Sequence, residues 1–364
     1  MLRTARTDPG GFVREALRPT FIDEVQRGGD PLVLAVKGVV DRDNARGQFL
    51  LAGSTRFLFE PRLSDSLAGR ALFVDLWPLS QGEIGQIHDD LITALFSGPD
   101  AVRSLNCVPE SRLETFRRVC RGGMPETIGV TDRERSELLA AYVRTLASRD
   151  APEIGRLPRT VDLTTVIGVL AARTAQEFNG LALGNMLGIS GDVIRRVATM
   201  LETVYVHYAI PAWSRNLTGK AIRRPKIHMV DSGVAAVVCG VDAERLRRPE
   251  ERFSGALLET FVAGEISRQL TWSHTDARLF HWRDRDGSEV DLVLERPSGE
   301  VACIEVKAAH DVDPSDAKGL RTLRDKLGDR FIVGVILHCG DEIRWLEDRI
   351  LAAPVSLLWA QSQR

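Results

Sequence analysis

Phe21-Ile-Asp-Glu-Val-Gln-Arg27 ends a short apolar run in two adjacent acids, Asp23 and Glu24. A strand of this form delivers carboxylates to the rim of a parallel sheet, where they can hold the water shell of Mg²⁺ and polarise an attacking water. Such a site also needs a phosphate cradle: glycines whose backbone N–H groups converge, then a Lys for the terminal phosphates and a Ser or Thr for Mg²⁺. No G-x-x-x-x-G-K-[ST] occurs anywhere in the 364 residues. The nearest fragment, Gly219-Lys220, runs into Ala221 and has Ser214 where the first glycine belongs. The chain has the adjacent acids without a phosphate cradle.

Outward from that run, residues 1–85 alternate strand and helix patterns. A strand ends at Ile22, apolar residues recur at helical spacing over 32–40, a buried strand spans 49–52 and another spans 71–76. This alternation implies a parallel sheet with crossover helices. Residues 86–157 read as a helical, lid-like segment broken at Arg121-Gly-Gly-Met-Pro125. Residues 158–250 read as helices over 163–174, 181–188 and 193–205, followed by extended segments at 208–211 and 227–230. That is the order of a winged helix-turn-helix, with Ser190-Gly-Asp192 as its turn. Residues 251–364 read as an α/β unit with helices over 255–270 and 317–327 and strands over 279–282, 290–294, 301–306, 331–337 and 357–359. The expected fold is α/β and multidomain.

Composition narrows the function. A net charge of −2 excludes global attraction to nucleic acid, so any such binding needs a local patch. Five cysteines, at 107, 120, 239, 303 and 339, form no C-x-x-C pair and read as reduced thiols. The seven histidines show no metal spacing. Residues 1–11 contain no apolar leader and no run reaches membrane-spanning length, so a cytoplasmic protein without a membrane partner is expected.

Ten stretches carry a resemblance. They are Asp8-Pro9, the opening heptapeptide, Gln48-Phe-Leu-Leu-Ala-Gly-Ser54, Ser66-Leu-Ala-Gly-Arg70, and Trp77-Pro-Leu-Ser80 with Glu83. Then follow Arg121-Gly-Gly-Met-Pro-Glu126, Pro225-Lys-Ile-His-Met-Val-Asp-Ser-Gly233, Leu258-Glu-Thr-Phe-Val262, Glu289-Val-Asp291 and Glu305-Val-Lys307. In this order they resemble a prokaryotic family of AAA-type P-loop ATPases fused to a C-terminal domain of unknown function. The resemblance implies a partial AAA-type sheet in 1–85, with the Walker B and sensor regions but no Walker A. It implies that Asp23 holds Mg²⁺, Glu24 polarises water, Ser54 senses the γ-phosphate, and Arg70 neutralises charge in a neighbouring subunit of a homo-oligomer. ATP and Mg²⁺ would be the cofactors. It also implies a reading frame that extends upstream to supply the missing strand, loop and helix. The alternative is a relic in which Asp23 and Glu24 merely cap a strand.

The C-terminal carboxylates form a second candidate. Alternation along a strand points Glu305 and Lys307 the same way while Ile304 and Val306 enter a core. Asp291 joins them if the two strands pair as a hairpin. This D…E-x-K pattern resembles a restriction-endonuclease-like core, PD-(D/E)xK, in which Asp291 and Glu305 bind Mg²⁺ and Lys307 orients water. Glu259 matches that fold's helix-borne acid, and Glu265, about 120° further around the helix, is a weaker candidate. An ordinary surface Glu–Lys pair is the competing reading. In the winged unit, Arg195, Arg196, Arg223, Arg224 and Lys226 would meet DNA phosphates, or form a solvated basic face. Three functions stay open: a DNA-associated AAA-type protein, a non-catalytic DNA-binding or assembly protein, and an ATP-independent, Mg²⁺-dependent nuclease.

A chain without a phosphate-binding Lys and its glycine loop binds Mg-ATP weakly or not at all. Isothermal titration checks this: a flat isotherm is expected, and low-micromolar affinity would show that another loop supplies the contacts.

Overall fold

The computed structural model describes residues 1–43, 45–53, 67, 69–150, 161–214, 224–284 and 286–361. Ser54 and Arg223 lie outside the described residues. The chain forms two compact units, Met1–Leu76 with Thr199–Tyr205, and Trp77–Ala198 with Val206–Arg364.

In the first unit, helices α1 (Leu2–Thr7) and α2 (Pro9–Glu15) precede strand β1 (Thr20–Ile22), helix α3 (Gly29–Val40) and strand β2 (Phe49–Leu51). The Asp8 carboxylate caps α2 by accepting from Gly11 N at 2.8 Å, and Pro9 takes the first helical position, where no N–H is needed. β1 and β2 pair in parallel with Phe21 opposite Leu50. Leu32, Val33 and Val36 of α3 close a core that Ile22, Phe49 and Leu51 border.

Two expectations are corrected here. The 49–52 segment is half-buried rather than buried, because Phe21 and Leu50 turn outward and are 60% and 65% exposed. Residues 71–76 form no strand, and Leu72, Val74 and Leu76 are exposed. An apolar run becomes a buried parallel strand only when neighbours supply both hydrogen bonds and cover, and no described segment pairs with this one.

The second unit begins with helices α4 (Gln81–Gly85), α5 (Leu91–Phe96), α6 (Pro99–Arg103), α7 (Arg112–Arg121) and α8 (Asp132–Thr145). The middle of the chain follows as α9 (Leu163–Ala172), β3 (Gln176–Glu177), α10 (Gly180–Leu187), α11 (Gly191–Thr203, of which residues 199–203 count with the first unit), β4 (His207–Ile210) and β5 (Lys226–Met229). Its three strands form one antiparallel sheet in the order β3-β5-β4. The two-residue β3 was too short to be read from periodicity. Helices α12 (Ser232–Val238) and α13 (Ala243–Leu246) lead into the last part of the chain.

That part comprises α14 (Phe253–Gln269), β6 (Arg278–Arg283), β7 (Glu289–Glu295), β8 (Val301–Lys307), α15 (Lys318–Leu327), β9 (Phe331–His338), β10 (Arg344–Glu347) and β11 (Ile350–Pro354). The six strands lie in the order β10-β11-β9-β8-β7-β6. β6, β7 and β8 are antiparallel neighbours, whereas β8, β9 and β11 run parallel. Leu320, Leu323 and Leu327 of α15 pack with Val290, Val293 and Cys303 of the sheet. The strand expected at 357–359 is instead part of a 3₁₀ turn, Val355–Trp359, while β10 and β11 lie just before it. Among the described residues no helix is long and apolar enough to cross a membrane.

Three of the quoted stretches meet in one structural joint. Leu79 N donates to Gly123 O at 2.8 Å, and Gly123 N donates to Asp231 Oδ2 at 2.7 Å. The other oxygen of Asp231 caps α12 by accepting from Val234 N at 2.9 Å. Ser232 Oγ donates to Val119 O at 2.7 Å. A Cβ at Gly123 would fall 2.0 Å from Leu79 O, so only glycine permits this approach. Gly123→Ala should therefore destabilise the chain by about 3 kcal/mol, the upper end of overpacking costs. Urea unfolding checks it, and a loss below about 0.5 kcal/mol would show that the joint yields.

Candidate functional site

β7 and β8 pair in the register that sets Leu292 opposite Ile304. With that register, the Asp291 carboxylate reaches across and accepts from Val306 N at 3.0 Å. A one-residue slip would turn buried Ile304 and Val306 to the other face, which fixes the pairing. Lys307 Nζ donates to Glu305 Oε1 at 3.0 Å, as expected for side chains two apart on a strand. α14 supplies Glu259. The structure thus gathers all four residues of the D…E-x-K candidate and its helix acid.

It also adds a fifth. Lys226, the first residue of β5, sends Nζ to Glu259 Oε1 at 2.8 Å and to Asp291 Oδ1 at 3.0 Å. Its side chain is 8% exposed, so the expectation that Lys226 meets DNA phosphates is corrected: the ammonium is spent on two internal carboxylates. Two residues along the same strand, His228 places Nε2 4.0 Å from Glu259 Oε1. Its Nδ1 lies 3.4 Å from Thr260 Oγ1, which pairs with Thr174 Oγ1 at 2.7 Å. The ring stacks on Tyr208 with centroids 5.7 Å apart. The alternating Lys-Ile-His-Met pattern was the available signal that Lys226 and His228 share one face.

Charge is tightly constrained at this point. Burial, reinforced by Asp291, pushes Glu259 well above the usual carboxyl range and Glu305 up to about 8. Burial works against the charge of Lys226, but Asp291 and Glu259 outweigh it and raise its pKa. Burial, then the Lys226 charge, drives His228 well down, and burial drives His281 down to about 4. Both imidazoles are therefore neutral near pH 7. Of the acids here, Glu259 and Glu305 are the ones that burial holds toward the protonated form. Among the described residues no three His, Cys, Asp or Glu side chains are grouped to hold a metal ion.

Glu265 is not part of this cluster. It is fully buried, pairs with Arg268 Nη1 at 2.8 Å and accepts from Gln81 N at 2.9 Å. Burial pushes it up to about 7, with Arg268 opposing.

The remaining candidates are dispersed. Asp23 and Glu24 lie just past β1, where Glu24 N donates to Asp23 Oδ1 at 2.9 Å and Glu24 Oε2 accepts from Gln26 at 2.9 Å. Glu24 holds a left-handed φ of 51°, uncommon for a residue with a side chain. Arg70 pairs with Asp41. Arg195 and Arg196 are exposed on α11, Arg195 pairing with Asp192 one turn earlier, and Arg224 is exposed before β5.

These shifts set a pH dependence. A carboxyl whose folded pKa is raised above the ordinary 4.5 stabilises the fold fully below 4.5, and that contribution is lost as pH rises through the folded value. The depressed histidines act in the opposite sense but add no slope above their ordinary 6.5. Between pH 6.5 and 9 the urea midpoint of the native chain should fall. In Glu305→Gln the fall should be shallower, and equal slopes for the two proteins would remove Glu305 from the account.

Three family comparisons match successive segments: "AAA domain" over residues 4–85, "Domain of unknown function (DUF8612)" over 113–245, and "Domain of unknown function (DUF4143)" over 254–358. The chain is 27% identical over 336 residues to an uncharacterized protein of Mycobacterium tuberculosis, and equally to one of Mycobacterium bovis. Each match covers 92% of this chain and 67% of the relative. No solved structure matches significantly. Segment by segment, the chain is similar to an AAA domain and to two domains of unknown function.

Proposed function

We propose that this chain is a DNA-associated, AAA-type protein whose middle module grips duplex phosphates, with its C-terminal core acting as a scaffold. The observation that carries this reading is the middle module itself. Its order α9-β3-α10-α11-β4-β5, with sheet order β3-β5-β4, fits a winged helix-turn-helix, and Arg195 and Arg196 are exposed on the second helix of the pair. The C-terminal order α14-β6-β7-β8-α15-β9 suits a restriction-endonuclease-like core, yet a fold does not carry its commonest activity with it. A Mg²⁺-dependent cleavage reading would use Asp291, Glu305 and Lys307. Lys226 counts against it, since its ammonium holds one of those acids. ATP turnover is not assigned to this chain, because its sequence holds no phosphate cradle.

Binding to a fluorescent duplex of mixed sequence tests the proposal. Affinity should fall steeply with salt and depend little on sequence. Arg195→Ala, Arg196→Ala and Arg224→Ala should each lower the log–log salt slope by about 0.9 per lost phosphate contact. Salt-independent binding, or three unchanged variants, would return these arginines to a solvated basic face.

A further inference from the structure

Residues 79–91 are held to α14 by two of its side chains one turn apart, Glu265 and Gln269. Glu265 Oε2 accepts from Gln81 N at 2.9 Å, and Gln269 Oε1 accepts from Leu91 N at 2.9 Å. Gln269 Nε2 donates to Leu358 O at 2.6 Å and to Asp89 Oδ2 at 3.3 Å, while Trp272 Nε1 donates to Asp89 O at 3.0 Å. Two acids are thus buried in one seam, Glu265 at 0% and Asp89 at 5% exposure. Adjacent residues join them: Gln81 binds Glu265, and a Cβ on Gly82 would fall 2.4 Å from Asp89 Oδ2. Arg268 pairs with Glu265, whereas among the described residues no cation pairs with Asp89.

We propose that Asp89 and Glu265 form a proton-operated latch: protonated, they hold residues 79–91 on α14, and their ionisation loosens that segment by burying two negative charges against one guanidinium. A carboxylate buried without a cation is costly, and a second one nearby raises the cost. The surroundings give no relief. Glu83 of α4 adds negative charge at both acids, and Asp90 adds it at Asp89 while its own carboxylate is answered by Thr93, Ser273 and His274 N. Tyr208 of β4 stays neutral, because burial drives its phenol upward. Arg118 and Arg121 of α7 reach the seam, yet both donate to Gln81 Oε1. Burial, aided by Glu83 and Asp90, raises Asp89 to about 6, and burial raises Glu265 to about 7 against the pull of Arg268. Both values exceed the ordinary 3.8 and 4.5, so the hold is complete below those and is lost as pH rises through about 6 to 7. Gln81 Nε2 also donates to Gly122 O at 3.4 Å, which carries the loosening to the joint of Leu79 with Gly123. The latch does not depend on DNA binding by the middle module.

Amide hydrogen exchange of the full chain at about pH 5.5 and about pH 8, corrected for the intrinsic rate and read peptide by peptide, decides the matter. In the native chain, protection over 79–91 should fall at least about tenfold more than protection over β8 between the two conditions. In the double variant Asp89→Asn, Glu265→Gln that excess loss should vanish. Asp89→Asn alone strips no cation of its partner and covers the case in which the double variant does not fold. It should reduce the excess loss about threefold, the share of the group that titrates lower. A loss equal over 79–91 and β8 would overturn the latch, because it would report global unfolding alone. An excess loss as large in Asp89→Asn as in the native chain would also overturn it, as would one that persists in a folded double variant.

Discussion

A buried ammonium is tolerated only where carboxylates answer it, and the second unit is arranged around that requirement. Lys226 belongs to a three-stranded sheet, Glu259 to a long helix, and Asp291 to a six-stranded sheet. Each partner is nearly dry, so the Coulombic gain is large and the penalty for losing any one member is larger than the pair's net worth. Breaking such a pair on one side typically costs about 3–5 kcal/mol, because the survivor is left as an uncompensated buried charge. The same logic makes Asp291 do two jobs: one oxygen answers Lys226 and the other holds the Val306 amide, fixing where Glu305 and Lys307 emerge.

A second constraint is steric. The run Arg121-Gly-Gly gives Gly122 a positive φ of 66° and lets the Gly123 backbone lie against both Leu79 and the Asp231 carboxylate. Gln81 N, just after that strand-like approach, donates to the buried Glu265, which pairs with Arg268. Several buried or half-buried polar residues in this region serve as mortar. Ser80 and Glu83 form a reciprocal cap on α4, Asp231 caps α12, and Glu265 is a structural ion pair.

The C-terminal candidate was legible because it depends on short-range rules. Alternation along β8 set the directions of Glu305 and Lys307, and a hairpin of few residues brought Asp291 alongside. Lys226 was not legible as their partner. It precedes Asp291 by 65 positions, and only the packing of one sheet against α14 and β7 of another shows where its side chain goes. Its neighbours Arg223 and Arg224 instead suggested a basic hairpin loop that meets phosphates or solvent. The run at 71–76 failed for a related reason: composition states that a segment is apolar, but not whether a neighbouring strand exists to pair with it. At 357–359 a short apolar run is equally compatible with a buried 3₁₀ turn, and periodicity over so few residues cannot separate the two.

The link from β5 to the C-terminal core also bears on how the chain comes apart. Family boundaries fall near residues 245 and 254, which invites treating the two segments as separable domains. The buried lysine contradicts that partition energetically, since severing them hydrates Lys226 and strands Glu259 and Asp291 together. The two segments should accordingly melt as one cooperative block, and a protease that nicks the connection should release no independently stable fragment.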